Sequence, residues 1–228
     1  MIDGIIFDKD GTLFDFRKSW GGWSRRLLEA LSDDPQRRHA MGRAIGYDLD
    51  TQDFDAGSPV IAGTPDEIAA ILLPLLPDMR PEALIARMNA LAALAPMAEA
   101  VPLDALLTRL RERGVRIGLA TNDAEAPARA HLAAHDLTRH FDFIAGSDSG
   151  FGGKPAPGQL VAFCRATGLD PSRIVMVGDS CHDLEAGRRA GMHRVAVLTG
   201  IAGKAELAPH ADVVLADIGA LPGWLDSL

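Results

Sequence analysis

The sequence predicts an α/β protein with a doubly wound parallel sheet, a Rossmann-like core, and a helical domain inserted after the first strand. Several short apolar runs end in small or polar residues, which is typical of buried strands in a parallel sheet. These runs lie at residues 2–7, 115–120, 141–145, 174–177 and 194–198. Helix-like stretches precede or follow them at residues 103–113, 125–135, 157–167 and 181–190. Such alternation of strands and helices indicates a parallel sheet. A further edge strand is expected at residues 213–215.

The stretch from residue 16 to residue 96 breaks this alternation. It lacks β-branched runs and is rich in Ala, Leu, Met and Arg, with apolar positions at helical spacing in residues 20–31, 67–76 and 81–94. Several prolines divide it into separate helices. We therefore predict a helical cap over residues 16–96, while residues 1–15 and 97–228 form the α/β core.

Composition narrows the class of partner. The chain has 228 residues, 47% hydrophobic and 24% charged, which is typical of a globular protein. A net charge of −8 argues against a nucleic-acid backbone as partner. The two cysteines are too few for a disulfide framework, and we find neither a signal peptide nor an apolar run of about 20 residues. We expect a cytoplasmic protein, a monomer or homodimer, with no membrane partner.

Chemically active side chains follow four of the predicted strands. In open parallel sheets, ligands bind beyond the carboxyl ends of the strands. At those ends the sequence supplies four carboxylates, a hydroxyl, an amide and a lysine, namely Asp8, Asp10, Thr121, Asn122, Lys154, Asp179 and Asp183. We expect these side chains to meet in one crevice.

Four carboxylates in one pocket require a compensating cation, since they cannot otherwise stay ionised away from water. Oxygen-rich sites with open positions suit Mg²⁺, which binds through one or two carboxylates, water and substrate phosphate. Lys154 matches a phosphate group, and Thr121 and Asn122 add donors before a predicted helix, where anions bind. The sequence thus predicts a site for Mg²⁺ and a phosphate.

The spacing of Asp8 and Asp10 adds a catalytic possibility. One carboxylate of such a pair can attack as a nucleophile, while the other protonates the leaving group and later activates water. Aspartate forms covalent phosphoryl intermediates, and Mg²⁺ with Lys154 would stabilise charge on the phosphoryl oxygens. We therefore expect phosphoryl transfer at this site.

Four segments resemble, in order and spacing, the motifs of the haloacid dehalogenase-like hydrolase superfamily. They are Asp8-Lys9-Asp10-Gly11-Thr12-Leu13, Thr121-Asn122, Lys154-Pro155 and Gly178-Asp179-Ser180-x-x-Asp183. The resemblance covers the predicted α/β core, and the inserted region resembles the cap of the phosphoglycolate phosphatase-like branch. Lys9 departs mildly from the pattern, because many relatives have an apolar residue there. Lys9 could meet solvent, the cap or the substrate.

The resemblance implies a role for each residue. Asp8 would be the nucleophile and a Mg²⁺ ligand, and Asp10 the general acid and base, with its backbone carbonyl on the metal. The implied catalytic residues are Asp8, Asp10, Thr121 and Lys154. The implied phosphate-binding residues are Thr121, Asn122 and Lys154. The implied metal-binding residues are Asp8, Asp10, Asp179 and Asp183.

The resemblance also implies an activity. A Mg²⁺-dependent phosphatase would hydrolyse a small phosphorylated metabolite, such as phosphoglycolate, through a phosphoryl-aspartate. A sugar phosphomutase on the same scaffold and a non-catalytic regulator that binds Mg²⁺ and phosphate are the alternatives. A dehalogenase is disfavoured, because dehalogenases of the superfamily use one aspartate without Mg²⁺, whereas this chain has a second acid, Asp10.

Overall fold

Strands and helices alternate as predicted in a computed structural model that describes residues 2–228. Within these residues eight strands form: β1 (Gly4–Phe7), β2 (Tyr47–Asp48), β3 (Asp53–Phe54), β4 (Arg116–Ala120), β5 (Phe143–Ala145), β6 (Ile174–Gly178), β7 (His193–Val197) and β8 (Val213–Leu215). The same residues contain ten α-helices: α1 (Phe16–Leu31), α2 (Pro35–Ala44), α3 (Pro65–Leu72), α4 (Pro81–Ala92), α5 (Leu103–Glu112), α6 (Glu125–Ala134), α7 (Gly158–Thr167), α8 (Cys181–Ala190), α9 (Lys204–Leu207) and α10 (Leu221–Leu225). None of these helices combines the length and the apolar character that crossing a bilayer requires.

Six of the strands form one sheet in the order β5-β4-β1-β6-β7-β8, and each neighbouring pair runs parallel. Side chains alternate between the faces of a strand, so Ile5 and Phe7 of β1 pack into one apolar cluster and Ile6 packs into another. Helices cover both clusters. The predicted doubly wound, Rossmann-like fold class is confirmed, with β1 at the centre, where its carboxyl end faces the crevice.

Residues 16–96, here called the insertion, pack around an apolar cluster of their own that includes Phe16, Trp20, Trp23 and Tyr47. The insertion consists of helices α1 to α4 and the antiparallel pair β2–β3. The β2–β3 pair is absent from the sequence prediction. Each of its strands has two residues, too few to show the alternation by which strands are predicted.

Two chain segments join the insertion to the sheet, and they are hydrogen-bonded to each other. The backbone N–H of Asp15 donates to the carbonyl of Ala98 at 2.8 Å. Phe14 packs in the core cluster, whereas Phe16 packs in the cluster of the insertion. Because the packing changes from the core cluster to the cluster of the insertion between Phe14 and Phe16, we propose a domain boundary after residue 15 and a second one after residue 96, as the sequence predicts.

Asp142, the residue before β5, is joined to β4 and α5 by a hydrogen bond and ion pairs. Its carboxylate accepts from the backbone N–H of Ile117 at 2.9 Å and from Arg116 at 2.9 Å, and it also pairs with Arg111. Burial alone would raise the pKa of Asp142, but the Ile117 N–H and the two arginines outweigh it and hold the pKa below its usual value. The ionised form therefore stabilises this edge of the sheet.

Replacing Asp142 by Asn should lower the free energy of unfolding by about 1 kcal/mol at pH 7. Because the folded-state pKa lies below the unfolded value of about 3.9, the contribution is fully present above that pH and is lost as the pH falls through the folded pKa. Urea unfolding of wild type and variant from pH 7 downwards measures the difference. Asp33→Asn, at an exposed aspartate, is the matched control. A difference that did not shrink below about pH 4 would contradict the ion-pair account.

Candidate active site

All seven predicted site residues line one cleft of about 630 Å³, which lies between the carboxyl ends of the strands and the insertion. They come from four places in the chain: the loop after β1, the loop after β4, the loop after β5, and the segment that runs from the end of β6 into the first turn of α8. The sheet order explains the convergence, because β4, β1 and β6 are adjacent. The set in the cleft comprises Asp8, Asp10, Thr121, Asn122, Lys154, Asp179 and Asp183.

Lys154 lies at the centre of this cleft and is 5% exposed. Its Nζ is 2.5 Å from Asp8 Oδ1 and 2.6 Å from Asp183 Oδ1, and it donates to the carbonyl of Ala120 at 2.7 Å. Burial would lower the pKa of Lys154, but Asp183 and Asp8 outweigh burial and raise it. The lysine therefore stays charged.

Three buried carboxylates, those of Asp8, Asp179 and Asp183, each present an oxygen within 4.8 Å of the others. Burial raises the pKa of Asp8 to about 7, with Lys154 opposing the rise and Asp183 and Asp10 adding to it. Burial and then the charge of Asp8 also raise the pKa of Asp179 well above its ordinary value. The single positive charge of Lys154 does not balance these three carboxylates. Because all the donor atoms of the set are oxygens, the set fits a hard divalent cation such as Mg²⁺.

Two glycines let the backbone approach Asp179 closely. Gly11 has φ +82°, a conformation that side chains other than glycine rarely adopt, and a Cβ there would lie 2.3 Å from Asp179 Oδ2. A Cβ on Gly200 would lie only 1.7 Å from the same oxygen. Thr12 Oγ1 also contacts this carboxylate, at 3.4 Å from Asp179 Oδ1. The position of this carboxylate therefore depends on residues from two loops.

Thr121 and Asn122 follow β4, and α6 begins three residues after Asn122. The Thr121 hydroxyl accepts from the backbone N–H of Asp123 at 3.1 Å. The Asn122 amide nitrogen donates to the carbonyls of Lys154 and Ala62 at 2.8 and 2.7 Å, and its oxygen accepts from the Lys154 N–H at 2.7 Å. The Asn122 side chain therefore holds the lysine loop in place and contacts the insertion.

Lys9 is completely buried and lies beside the cleft. Its Nζ contacts Asp10 Oδ1 at 3.0 Å, Asp123 Oδ2 at 2.9 Å and His131 Nδ1 at 3.1 Å. Burial would lower the pKa of Lys9, but Asp10 and Asp123 outweigh it and raise the pKa. An ammonium has three N–H donors, and each has an acceptor here. Lys9 is therefore shielded from solvent, is not among the residues that line the cleft, and pairs with the Asp10 carboxylate.

The insertion also contacts Asp10. Trp20 Nε1 donates to Asp10 Oδ1 at 2.7 Å, and Lys9 Nζ lies 5.0 Å from the centroid of the Trp20 ring. His131 Nε2 is 2.7 Å from the carbonyl of Ala92 in α4. A lysine only donates, so Nδ1 of His131 accepts and Nε2–H donates to the carbonyl. Burial, with the charge of Lys9, lowers the pKa of His131 to about 4, which keeps the ring neutral at pH 7.

The contacts around Lys9 are the part of the site that sequence reasoning missed. Trp20 packs within the insertion, and nothing in the sequence indicates its hydrogen bond to Asp10. Asp123 directly follows the Thr121-Asn122 motif, and its position at a strand end was a usable signal. The sequence gives no such signal for His131, since a histidine in a helix is ordinarily a packing or surface residue.

Comparison with known proteins identifies the family. The family description "haloacid dehalogenase-like hydrolase" matches residues 2–191, most of the chain. The chain is a member of the haloacid dehalogenase-like hydrolases. A phosphoglycolate phosphatase of Rhodospirillum rubrum is 30% identical over 231 residues, covering 99% of this chain and 91% of that protein. The predicted family and the predicted enzyme class, a phosphatase, are confirmed.

Solved structures agree on the fold. A protein from Bacteroides fragilis described as a haloacid dehalogenase-like hydrolase superposes with a TM-score of 0.75 at 21% identity, covering 97% of this chain and 100% of the other. A Thermotoga maritima protein described as a beta-phosphoglucomutase has a TM-score of 0.69 at 21% identity, with all of both chains covered. At this identity the likeness supports the fold alone. The cytoplasmic location and the oligomeric state stay predictions.

Replacing Lys9 by Met should destabilise the protein by roughly 3–5 kcal/mol, because Asp10 and Asp123 would be left buried without their cation. The double variant Lys9→Met/Asp123→Asn should recover part of that loss, since it removes one of the two unpaired charges. Urea unfolding at pH 7 measures both. Lys18→Met is the matched control, because Lys18 is 71% exposed in its pair with Asp15 and should contribute under about 1 kcal/mol. Equal losses for Lys9→Met and Lys18→Met would contradict the buried-charge account.

Proposed function

We propose that this phosphatase is Mg²⁺-dependent and hydrolyses a small phosphomonoester through a phosphoryl-aspartate on Asp8. The observation that supports this most strongly is the cluster of Asp8, Asp179 and Asp183 around a single buried lysine, Lys154. The cluster combines a carboxylate nucleophile with ligands for a hard cation and a positive group for phosphate. No other cavity described within residues 2–228 unites these groups.

In the first step, Asp8 Oδ attacks the phosphorus, and the bond from phosphorus to the leaving oxygen breaks. The form of the enzyme that reacts has a proton on the Asp10 carboxyl, which gives that proton to the leaving oxygen, so the product departs as a neutral alcohol. Lys154 Nζ faces the attacking carboxylate at 2.5 Å, where it can stabilise charge on the phosphoryl oxygens. Lys9 and Trp20 hold Asp10 in position for the proton transfer.

In the second step, Asp10 takes a proton from a water molecule, whose oxygen attacks the phosphorus. The bond from phosphorus to Asp8 breaks, which releases inorganic phosphate and restores both carboxyl groups to their starting states. One residue thus serves as acid and then as base. Closure of the insertion over the cleft would exclude other water during the transfer.

Asp8, Asp179 and Asp183 would hold the Mg²⁺ ion through carboxylate oxygens, and the backbone carbonyl of Asp10 is a further proposed ligand. When bound, the ion would neutralise charge on the phosphoryl group and orient it. We also propose Thr121 and Asn122 as part of the phosphate site. Since the Asn122 side chain already bonds the lysine loop, its contribution is to hold Lys154 at the phosphate.

Replacing Asp8 by Asn should reduce phosphate release by at least roughly 10³-fold, because the amide is a far weaker nucleophile. Release by the wild type should require Mg²⁺ and stop with EDTA. The measurement is free phosphate from a panel of small phosphomonoesters that includes phosphoglycolate and glucose 1-phosphate. Thermal unfolding of the variant verifies that it is folded.

Three outcomes would count against this proposal. Full activity of Asp8→Asn would remove Asp8 as the nucleophile. Isomerised sugar phosphate without free phosphate would favour the phosphomutase, and binding of phosphate without turnover would favour the regulator.

Replacing Gly200 by Ala should weaken Mg²⁺ binding by roughly tenfold or more, because the new Cβ displaces the Asp179 carboxylate. The Mg²⁺ concentration that half-saturates the thermal stabilisation of the protein measures this without recourse to activity. Gly203→Ala is the matched control, since a Cβ at Gly203 meets nothing within 4 Å. Unchanged half-saturation in Gly200→Ala would argue against Asp179 as a ligand.

A further inference from the structure

The cleft has two chemically different halves. The half formed by the sheet loops is charged and polar, whereas the half formed by the insertion is lined mostly by apolar side chains. The largest of these are Trp20, Trp23, Ile61, Pro65, Ile68 and Met88. In the proposed reaction the phosphoryl group binds at the charged half. The organic part of the substrate must therefore lie against the apolar half.

The apolar half has little remaining capacity for hydrogen bonds. The indole N–H of Trp20 donates to Asp10 at 2.7 Å, and that of Trp23 donates to the carbonyl of Met88 at 3.4 Å. The carbonyl of Ala62 accepts from Asn122. Among the described insertion residues that line the cleft, Asn89 alone has a side-chain amide, and none has a charged side chain.

The charged half is unfavourable for a second anion. Five aspartates line the cleft, and Lys154 is the sole lysine or arginine among the described lining residues. That lysine already contacts Asp8 and Asp183. A carboxylate on the leaving group would be removed from water without a cation of its own, and an unpaired ion in such a place is strongly disfavoured. His182, exposed on the sheet side, is the one histidine among the described lining residues.

We infer that the substrate is a phosphomonoester whose leaving group is an uncharged, largely apolar alcohol, aromatic or aliphatic, with Asn89 positioned for one polar group on it. The inference rests on the proposed function and narrows its substrate class. It differs from the activity named for the Rhodospirillum rubrum relative, because phosphoglycolate has a carboxylate on the leaving group. A broad apolar wall matches a larger hydrophobic body, which stabilises binding in proportion to the apolar area that it buries.

Two pairs of compounds that differ in one carboxylate test this directly. The pairs are phenyl phosphate with 4-carboxyphenyl phosphate, and ethyl phosphate with phosphoglycolate. With Mg²⁺ present, kcat/KM for the neutral member should exceed that for the carboxylate member by at least about tenfold in each pair, the difference that 1.4 kcal/mol produces.

Asn89→Arg should shift the ratio within each pair towards the carboxylate member by about tenfold, because it adds a cation to the apolar half. His182→Gln should leave the ratios unchanged. The inference is overturned if the wild type prefers the carboxylate members, and loss of that preference in His182→Gln would identify His182 as their anchor.

Binding to Asp8→Asn separates this inference from the proposed reaction. With Mg²⁺ present, calorimetry on that variant should give a lower Kd for phenyl phosphate than for 4-carboxyphenyl phosphate. If the wild type hydrolyses neither compound but the variant retains this order, the reaction is wrong and the selectivity stands. If the order is reversed, the selectivity is wrong whatever the reaction.

Discussion

The contacts of Lys154 with Asp8 and Asp183 are the interaction on which the rest of the site depends. They join the loop after β5 to the end of β1 and to the first turn of α8. Removing ions from water is costly, so a buried lysine is tolerated only where carboxylates surround it closely. Here the carboxylates outnumber the lysine, and the raised pKa values of Asp8 and Asp179 reflect that imbalance. The same imbalance that disfavours the metal-free cluster would favour the binding of a cation.

Lys9 is a second buried lysine beside the cleft, and other side chains compensate its charge. Its three donors meet two carboxylates and a neutral imidazole, so each N–H of the buried ammonium has an acceptor. Two of these acceptors, Asp10 and Asp123, belong to the sheet loops, and the third, His131, belongs to α6. Trp20 and the carbonyl of Ala92 bring the insertion to the same cluster. The orientation of Asp10 is thus tied to the docking of the insertion. In the proposed reaction Asp10 is the proton donor, and a donor held in this way would be preorganised for transfer.

The fold and the meeting of the candidate site residues in one cleft could be predicted because both follow from local patterns. A buried parallel strand requires a short apolar run, and the residues after it must lie at the edge where ligands bind. Asp8, Thr121 and Asp179 were found in this way. The cluster around Lys9 could not be found, because His131 comes from a helix face and Trp20 from the insertion, and only the tertiary arrangement brings them to Lys9. The β2–β3 pair was missed because strands of two residues have no periodicity.

The two halves of the cleft also differ in what family membership can reveal about them. In the proposed reaction the sheet loops supply the same charges for any leaving group, since the phosphoryl group and its attack by Asp8 do not change. The insertion would then touch only the part of the substrate that differs between phosphomonoesters, so its wall can vary without harm to the chemistry. A relative that is 30% identical therefore defines the reaction class more firmly than the substrate. For this chain the wall of Trp23, Ile68 and Met88 is a more direct guide to the leaving group than the relative is. An apolar surface without a cation selects against a charged leaving group, whichever family the fold belongs to.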